Sequence, residues 1–129
     1  MKELAHVDVE RRGNVVLARL AGEVDLSNVD DVRRVLADHM ARDLSCLLLD
    51  LSDTTYLDST GVRLLFELAE QLQSRRQELR LVASDTALVR RVLVLTHVGE
   101  QVPFHTSVPE ALEAFGGSTR SAHPDDAED

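Results

Sequence analysis

Tryptophan is absent, tyrosine occurs once and phenylalanine three times in the 129 residues. A core built almost without aromatic bulk has to be aliphatic, and a 43% hydrophobic composition supplies enough leucine, valine and alanine to fill one. Cysteine also occurs once, so no disulfide can close within the chain. Cys46 lies in the run Cys46-Leu47-Leu48-Leu49 and reads as a small buried hydrophobe, not a nucleophile. No apolar run approaches the ~18 residues of a membrane span and no secretory leader is visible, so the expectation is a cytoplasmic protein with no membrane partner. Positive charge is scarce: 14 Lys and Arg, of which only Lys2 is lysine, face 23 Asp and Glu for a net charge of -9. That balance argues against a nucleic-acid partner. It suits a well-solvated protein, or one that meets a basic partner.

What is present has the length of one compact domain. His6 to Glu10 and Val15 to Leu20 alternate or run apolar around the Arg12-Gly13-Asn14 turn signal and read as a β-hairpin. Ala21 to Ser27 reads as a polar connection. Val29, Val32, Leu36 and Met40 then fall at helical spacing, with Ser27 or Asn28 as N-cap and an end expected near Arg42. Cys46 to Leu51 is continuously apolar, the signature of a strand buried on both faces. Val62, Leu65, Phe66, Ala69 and Leu72 mark a second helix, opened at Asp58-Ser59-Thr60. Leu79 to Ala83 is a short strand. Ser84 or Asp85 would cap a third helix whose Leu88, Val92 and Leu95 share a face. Val102 to His105 is a last strand, and Val108, Ala111, Leu112 and Phe115 make a last helix with Pro109 in its first turn. The order β-β-α-β-α-β-α-β-α implies an α/β domain with a mixed, mostly parallel sheet and helices packed against it.

Gly116-Gly117 closes that helix in this reading. Residues 1–116 form the domain, and 117–129 form a disordered acidic C-terminal tail. From Ser118 onward the tail holds four acids and one base, and so carries -3 of the net -9.

In open α/β sheets, ligands gather at the carboxyl ends of the strands. Two segments reach that end: Gly22 to Ser27, with Glu23, Asp25, Leu26 and Ser27, and Asp53 to Thr60, with Asp58, Ser59 and Thr60. If strands two and three pair in parallel, an acidic loop lies beside a helix start that carries two hydroxyls. Asp25 with Asp58 would be the pair to hold a metal or share a proton. Neither segment contains histidine, and His6, His39, His97, His105 and His123 are scattered without ligand spacing. Ser59 lacks the glycine-flanked turn of a serine hydrolase, and Gly61 stands outside any phosphate-binding glycine loop. No catalytic residue, metal ligand or cofactor site emerges, and the chain reads as a non-enzyme.

Two readings of Asp58-Ser59-Thr60 remain. In the first, the corner caps the helix: one side-chain oxygen accepts the free backbone N–H groups, an interaction worth about 1 kcal/mol. In the second, Ser59 is a phosphorylation site. A phosphate at a helix N-terminus meets N–H groups and a favourable dipole, so the fold tolerates it, while about -1.5 to -2 of charge is added beside Glu23, Asp25 and Asp58.

The stretches Leu20 to Asn28 (LAGEVDLSN) and Tyr56 to Leu65 (YLDSTGVRLL) resemble the two signature segments of the STAS-domain anti-sigma factor antagonists, partner-switching proteins of bacteria. The first is similar to the family's Gly-Glu-aliphatic-Asp segment. The second is similar to its Asp-Ser-Ser/Thr-Gly phosphorylation motif. Leu93 to Leu112 resembles the family's ending, so the likeness spans residues 5 to 116. The resemblance implies a STAS fold and a partner that is both an anti-sigma factor and a serine kinase of the GHKL type. It implies that the unphosphorylated antagonist binds this partner and frees a sigma factor. Phosphorylation would fall on Ser59, with Thr60 as a secondary site or a docking hydroxyl, and a PP2C-type phosphatase would reset the switch. The partner surface would comprise Glu23, Asp25, Leu26, Ser27, Asp58, Ser59, Thr60, Gly61 and Arg63. Arg63 stands where the family often has a second glycine, and Thr96-His97-Val98 stands where many members have Thr/Ser-Gly-Leu. The alternative is a STAS module that serves as a structural or regulatory subunit of a lipid-transport or sensory assembly, with no phosphorylation.

Overall fold

A computed structural model describes residues 5–122. The chain opens with a hairpin, β1 (Ala5–Arg12) and β2 (Val15–Val24), paired antiparallel from Ala5↔Gly22 to Arg12↔Val15. β2 runs on through Ala21 to Val24, the stretch expected to be a connection, because its second neighbour changes along its length. Val15 to Arg19 pair in parallel with β3 (Cys46–Asp50), and Gly22 to Val24 pair in parallel with β4 (Thr54–Leu57).

β4 is absent from the expected order, and the observed order is β-β-α-β-β-α-β-α-β-α. The chain leaves the sheet after β3 and re-enters it beside the far end of β2. The Gly22 N–H donates to the Asp53 carbonyl at 3.1 Å, and the buried Thr54 hydroxyl donates to the Leu20 carbonyl at 2.6 Å. The register shifts between Gly22 and Glu23, with Gly22 at a φ of 93°, a left-handed conformation that glycine adopts without Cβ strain. The sheet order is β1-β2-β3-β5-β6, with β5 at Glu78–Val82 and β6 at Phe104–His105. β6 is shorter than Val102 to His105 because Pro103 has no N–H for the ladder; its carbonyl still accepts the Leu81 N–H at 2.9 Å.

Three helices cover one face: α1 (Val29–Ala37), α2 (Ser59–Ser74) and α3 (Arg90–Leu95). Val29, Val32 and Leu36, then Leu64, Leu65, Leu68 and Leu72, then Leu93 meet Val16, Leu47, Leu49 and Leu81 in one aliphatic core. α4 (Val108–Ala122) covers the other face, packing Ala111, Leu112 and Phe115 on Leu17, Cys46, Leu48 and Val82. β3 is therefore buried on both sides, as its unbroken apolar run implied. Burial raises the Cys46 thiol to a pKa of about 12, which leaves it neutral and inert.

Three ends differ from expectation. α1 stops at Ala37, and Met40 reaches the core from the turn that follows. α3 begins at Arg90, not at Ser84 or Asp85, and turns Val89 and Leu93 inward. Leu88 and Leu95, expected to share a face with Val92, are 67% and 65% exposed. α4 runs past Gly116-Gly117 to Ala122, since glycine weakens a helix by about 1 kcal/mol without removing an N–H as proline does. The acidic end of the expected tail, residues 123–129, lies outside the described residues.

Candidate functional site

The start of α2 is organised by Asp58. Its extended backbone (φ -89°, ψ -171°) makes it the N-cap. Its carboxylate accepts the N–H of Thr60 at 2.9 Å and of Gly61 at 3.1 Å, and also the Thr60 hydroxyl. The Thr60 hydroxyl is the largest influence holding the Asp58 carboxyl below its ordinary pKa of 3.8; the backbone N–H groups of Gly61, Thr60 and Leu26 act in the same direction, against partial burial. Capping therefore belongs to Asp58, with Thr60 bound to it. Ser59, the first helical residue, is exposed, and its hydroxyl has no hydrogen-bond partner among the described residues. Its N–H stands in the group of helix-opening donors that has no intrahelical acceptor.

Gly61 presses this turn onto the sheet. A Cβ there would lie 2.5 Å from Leu57 Cδ1, 2.9 Å from Leu57 Cγ and 3.4 Å from a Val24 methyl. A side chain at 61 would have to displace Leu57, so glycine lets α2 start this close to β2 and β4.

The second segment is held against the first. The Asp58 N–H donates to the Val24 carbonyl at 3.3 Å, and Glu23 lies opposite Tyr56 in the β2–β4 ladder. Asp25 accepts the Ser27 N–H at 2.9 Å and the Ser27 hydroxyl. Asn28 occupies the N-cap position of α1 without making a side-chain cap bond. It clamps the turn instead, accepting the Asp25 N–H at 3.0 Å and donating to the Glu23 carbonyl at 2.8 Å.

The expected residues are thus brought to one corner: Glu23, Asp25, Leu26 and Ser27 on the turn after β2, and Asp58, Ser59, Thr60 and Gly61 at the start of α2. Arg63, one turn into α2, is exposed and makes no ion pair with Asp58 or with any other described residue. Asp25 and Asp58 are each engaged by their own segment. Among the described residues no group of three or more His, Cys, Asp or Glu side chains could hold a metal ion. Sequence reasoning missed two contributors. Asn28 fixes the acidic turn, and the side-chain acceptor three residues after Asp25 was its signal. Tyr56, two residues before the capping Asp58, and Leu26, whose backbone N–H favours its carboxylate, stand in solvent at 51% and 75% exposure; Leu26 was expected here, and Tyr56 was not.

His97 is the other departure from the resembled pattern. It lies at a φ of 63°, where glycine would be unstrained, and its ring contacts the Glu100 carboxylate at 2.8 Å.

Residues 6–111 match the family model described as STAS domain. Among solved structures, an anti-sigma factor antagonist from Mycobacterium paratuberculosis is 25% identical with a TM-score of 0.76, over 85% of this chain and 92% of that one. The anti-sigma factor antagonist SpoIIAA in its unphosphorylated form is 19% identical with a TM-score of 0.71, over 87% and 97%. The Bacillus cell fate determinant SpoIIAA in its phosphorylated form is 19% identical with a TM-score of 0.65, over 85% and 99%. At 19% identity both SpoIIAA structures attest the fold. No helix among the described residues is long and apolar enough to cross a membrane.

Proposed function

Because this chain belongs to the STAS domain family, we propose that it is an anti-sigma factor antagonist whose grip on its partner is switched off by phosphorylation of Ser59. In its unmodified form it binds an anti-sigma factor that is also a GHKL-type serine kinase, and so releases a sigma factor. The kinase esterifies Ser59, the complex separates, and a PP2C-type phosphatase restores the free hydroxyl. The protein works in the cytoplasm and catalyses nothing itself.

The division of labour at the corner carries this reading. Asp58 and Thr60 hold the helix start, and Ser59 holds nothing, so a phosphate on Ser59 breaks no hydrogen bond of the fold. It also sits at the positive end of the sixteen-residue α2, where a dianion is accommodated. Thr60 differs. Esterifying its hydroxyl would remove a donor to Asp58 and set two anions side by side, so Ser59 is the acceptor this corner favours and Thr60 the costlier, secondary one.

Incubation with the cognate kinase and ATP, followed by intact-mass analysis and phosphosite mapping, tests the reading. One phosphate on Ser59, none on Ser59→Ala, and constitutive partner binding by Ser59→Ala are expected. An unmodified wild type, equal phosphate on Ser59→Ala, or a stable complex indifferent to ATP and to Ser59→Glu would overturn it and leave the chain a constitutive subunit.

A further inference from the structure

Phosphate at this corner raises a problem of sign. The segments 22–27 and 53–60 carry Glu23, Asp25, Asp53 and Asp58 and no Lys or Arg; with Arg63 of the expected partner surface added, four acids still face one base, so this surface suits a cationic partner. A cationic partner attracts a phosphate. On charge alone, modifying Ser59 would tighten the complex.

The apolar side chains at the same place resolve this. Leu26 and Tyr56 are two of only five large hydrophobics exposed among the described residues, and the backbone beneath each is fixed by hydrogen bonds. Tyr56 sits in β4 opposite Glu23 and two residues before the capping Asp58. Leu26 sits in the turn clamped by Asn28, with its backbone N–H favouring the Asp58 carboxylate. The fold gains nothing from leaving either in water. Exposed aromatic and aliphatic side chains ringed by charge are the anchors of protein interfaces.

We propose that Leu26 and Tyr56 are apolar anchors over which a cationic partner surface closes, and that the Ser59 phosphate ends binding because closure of that surface would strip it of water. This rests on the function proposed above. Burying an ionised group costs several kcal/mol unless hydrogen bonds replace its water fully, and apolar anchors offer none. The anchors supply adhesion to the unmodified form and make the phosphate intolerable in the modified one.

The kinase that modifies Ser59 is the probe. Its affinity is measured for the unmodified and the phosphorylated protein in the wild type, in Leu26→Ala, in Tyr56→Ala and in Leu26→Ser/Tyr56→Ser. Each alanine should weaken the unmodified complex by about tenfold or more. The double serine variant should lower the ratio of unmodified to phosphorylated affinity at least about tenfold. In the wild type that ratio should persist from about 50 to 500 mM salt, since desolvation is not screened. Tyr56 is the only tyrosine, so 3-fluorotyrosine labelling of this chain gives a single fluorine resonance, which should shift with kinase bound to the unmodified form only. Wild-type affinity in both alanine variants, an unchanged ratio in the double variant, or a ratio that collapses with salt would overturn the proposal. A kinase that binds but never modifies Ser59 would overturn the proposed function instead, and the alanine variants would still decide the anchors. Both side chains are exposed, so unchanged thermal unfolding confirms that the variants fold.

Discussion

Removing the Asp58 carboxylate should cost the domain far more than removing its neighbour's hydroxyl. Asp58 accepts two backbone N–H groups and the Thr60 hydroxyl at a helix N-terminus. Loss of an N-cap side chain costs about 1 kcal/mol and up to about 2, and loss of a carboxylate from the positive end of a helix adds about 0.3–1 kcal/mol. Asp58→Ala should therefore destabilise by about 1.3–3 kcal/mol. Thr60→Val keeps the shape and removes one donor to a charged acceptor, for about 0.5–1 kcal/mol. Ser59→Ala touches no bond of the fold and should stay within about ±0.5 kcal/mol. Urea unfolding followed by far-UV circular dichroism reads all three as changes in midpoint at constant slope. The Asp58 contribution also has a pH signature. Its folded pKa lies below 3.8, so the stability is present above the carboxylate range and fades as pH falls through the folded value. A neutral Asp58→Ala, or a Ser59→Ala that costs more than about 1 kcal/mol, would refute this assignment of roles.

Gly61→Ala sets two effects against each other. Helix propensity favours alanine by about 1 kcal/mol, while the new Cβ meets Leu57 at 2.5 and 2.9 Å and must displace it, an overpacking cost of about 1–3 kcal/mol. Net destabilisation of up to about 2 kcal/mol is expected, and a stabilised variant would show that the corner has room to give. His105 accepts from Arg80 at 3.0 Å, and burial first, then the Arg80 charge, hold its pKa below 6.5 against the pull of Glu110 and Glu78. A histidine kept neutral by the fold contributes stability above its unfolded pKa and loses it as pH falls from there through the folded value. Nuclear magnetic resonance titration should place His105 below 6.5, and a value above it would contradict the Arg80 geometry.

The parts of this structure that were legible in the sequence are those governed by period and by capping chemistry. The doubly buried β3 announced itself as an unbroken apolar run, and α2 as leucines at helical spacing behind an Asp-Ser-Thr start. β4 escaped because Thr54 to Leu57 is four residues long, too short for a period, and is held by a partner, the far end of β2, that was itself read as a connection. The two errors share one cause: strand length here is set by which neighbour is available, and local pattern does not reveal that. α3 failed for the opposite reason. Leu88 to Val98 is so rich in aliphatics that several registers bury comparable surface, and the actual start at Arg90 turned Val89 and Leu93 inward. At the corner, residue identities were legible, but the split between the hydroxyl bound to the capping carboxylate and the one left free depended on coordinates.

Stoichiometric phosphorylation of Ser59, followed by thermal unfolding and partner affinity of the modified domain beside the unmodified one, separates loss of binding from loss of fold. The melting temperature should stay unchanged within about 3 °C, corresponding to less than about 1 kcal/mol, while binding falls at least about a hundredfold. A modified domain that melts markedly earlier, or one that still holds its partner, would contradict the role proposed for Ser59.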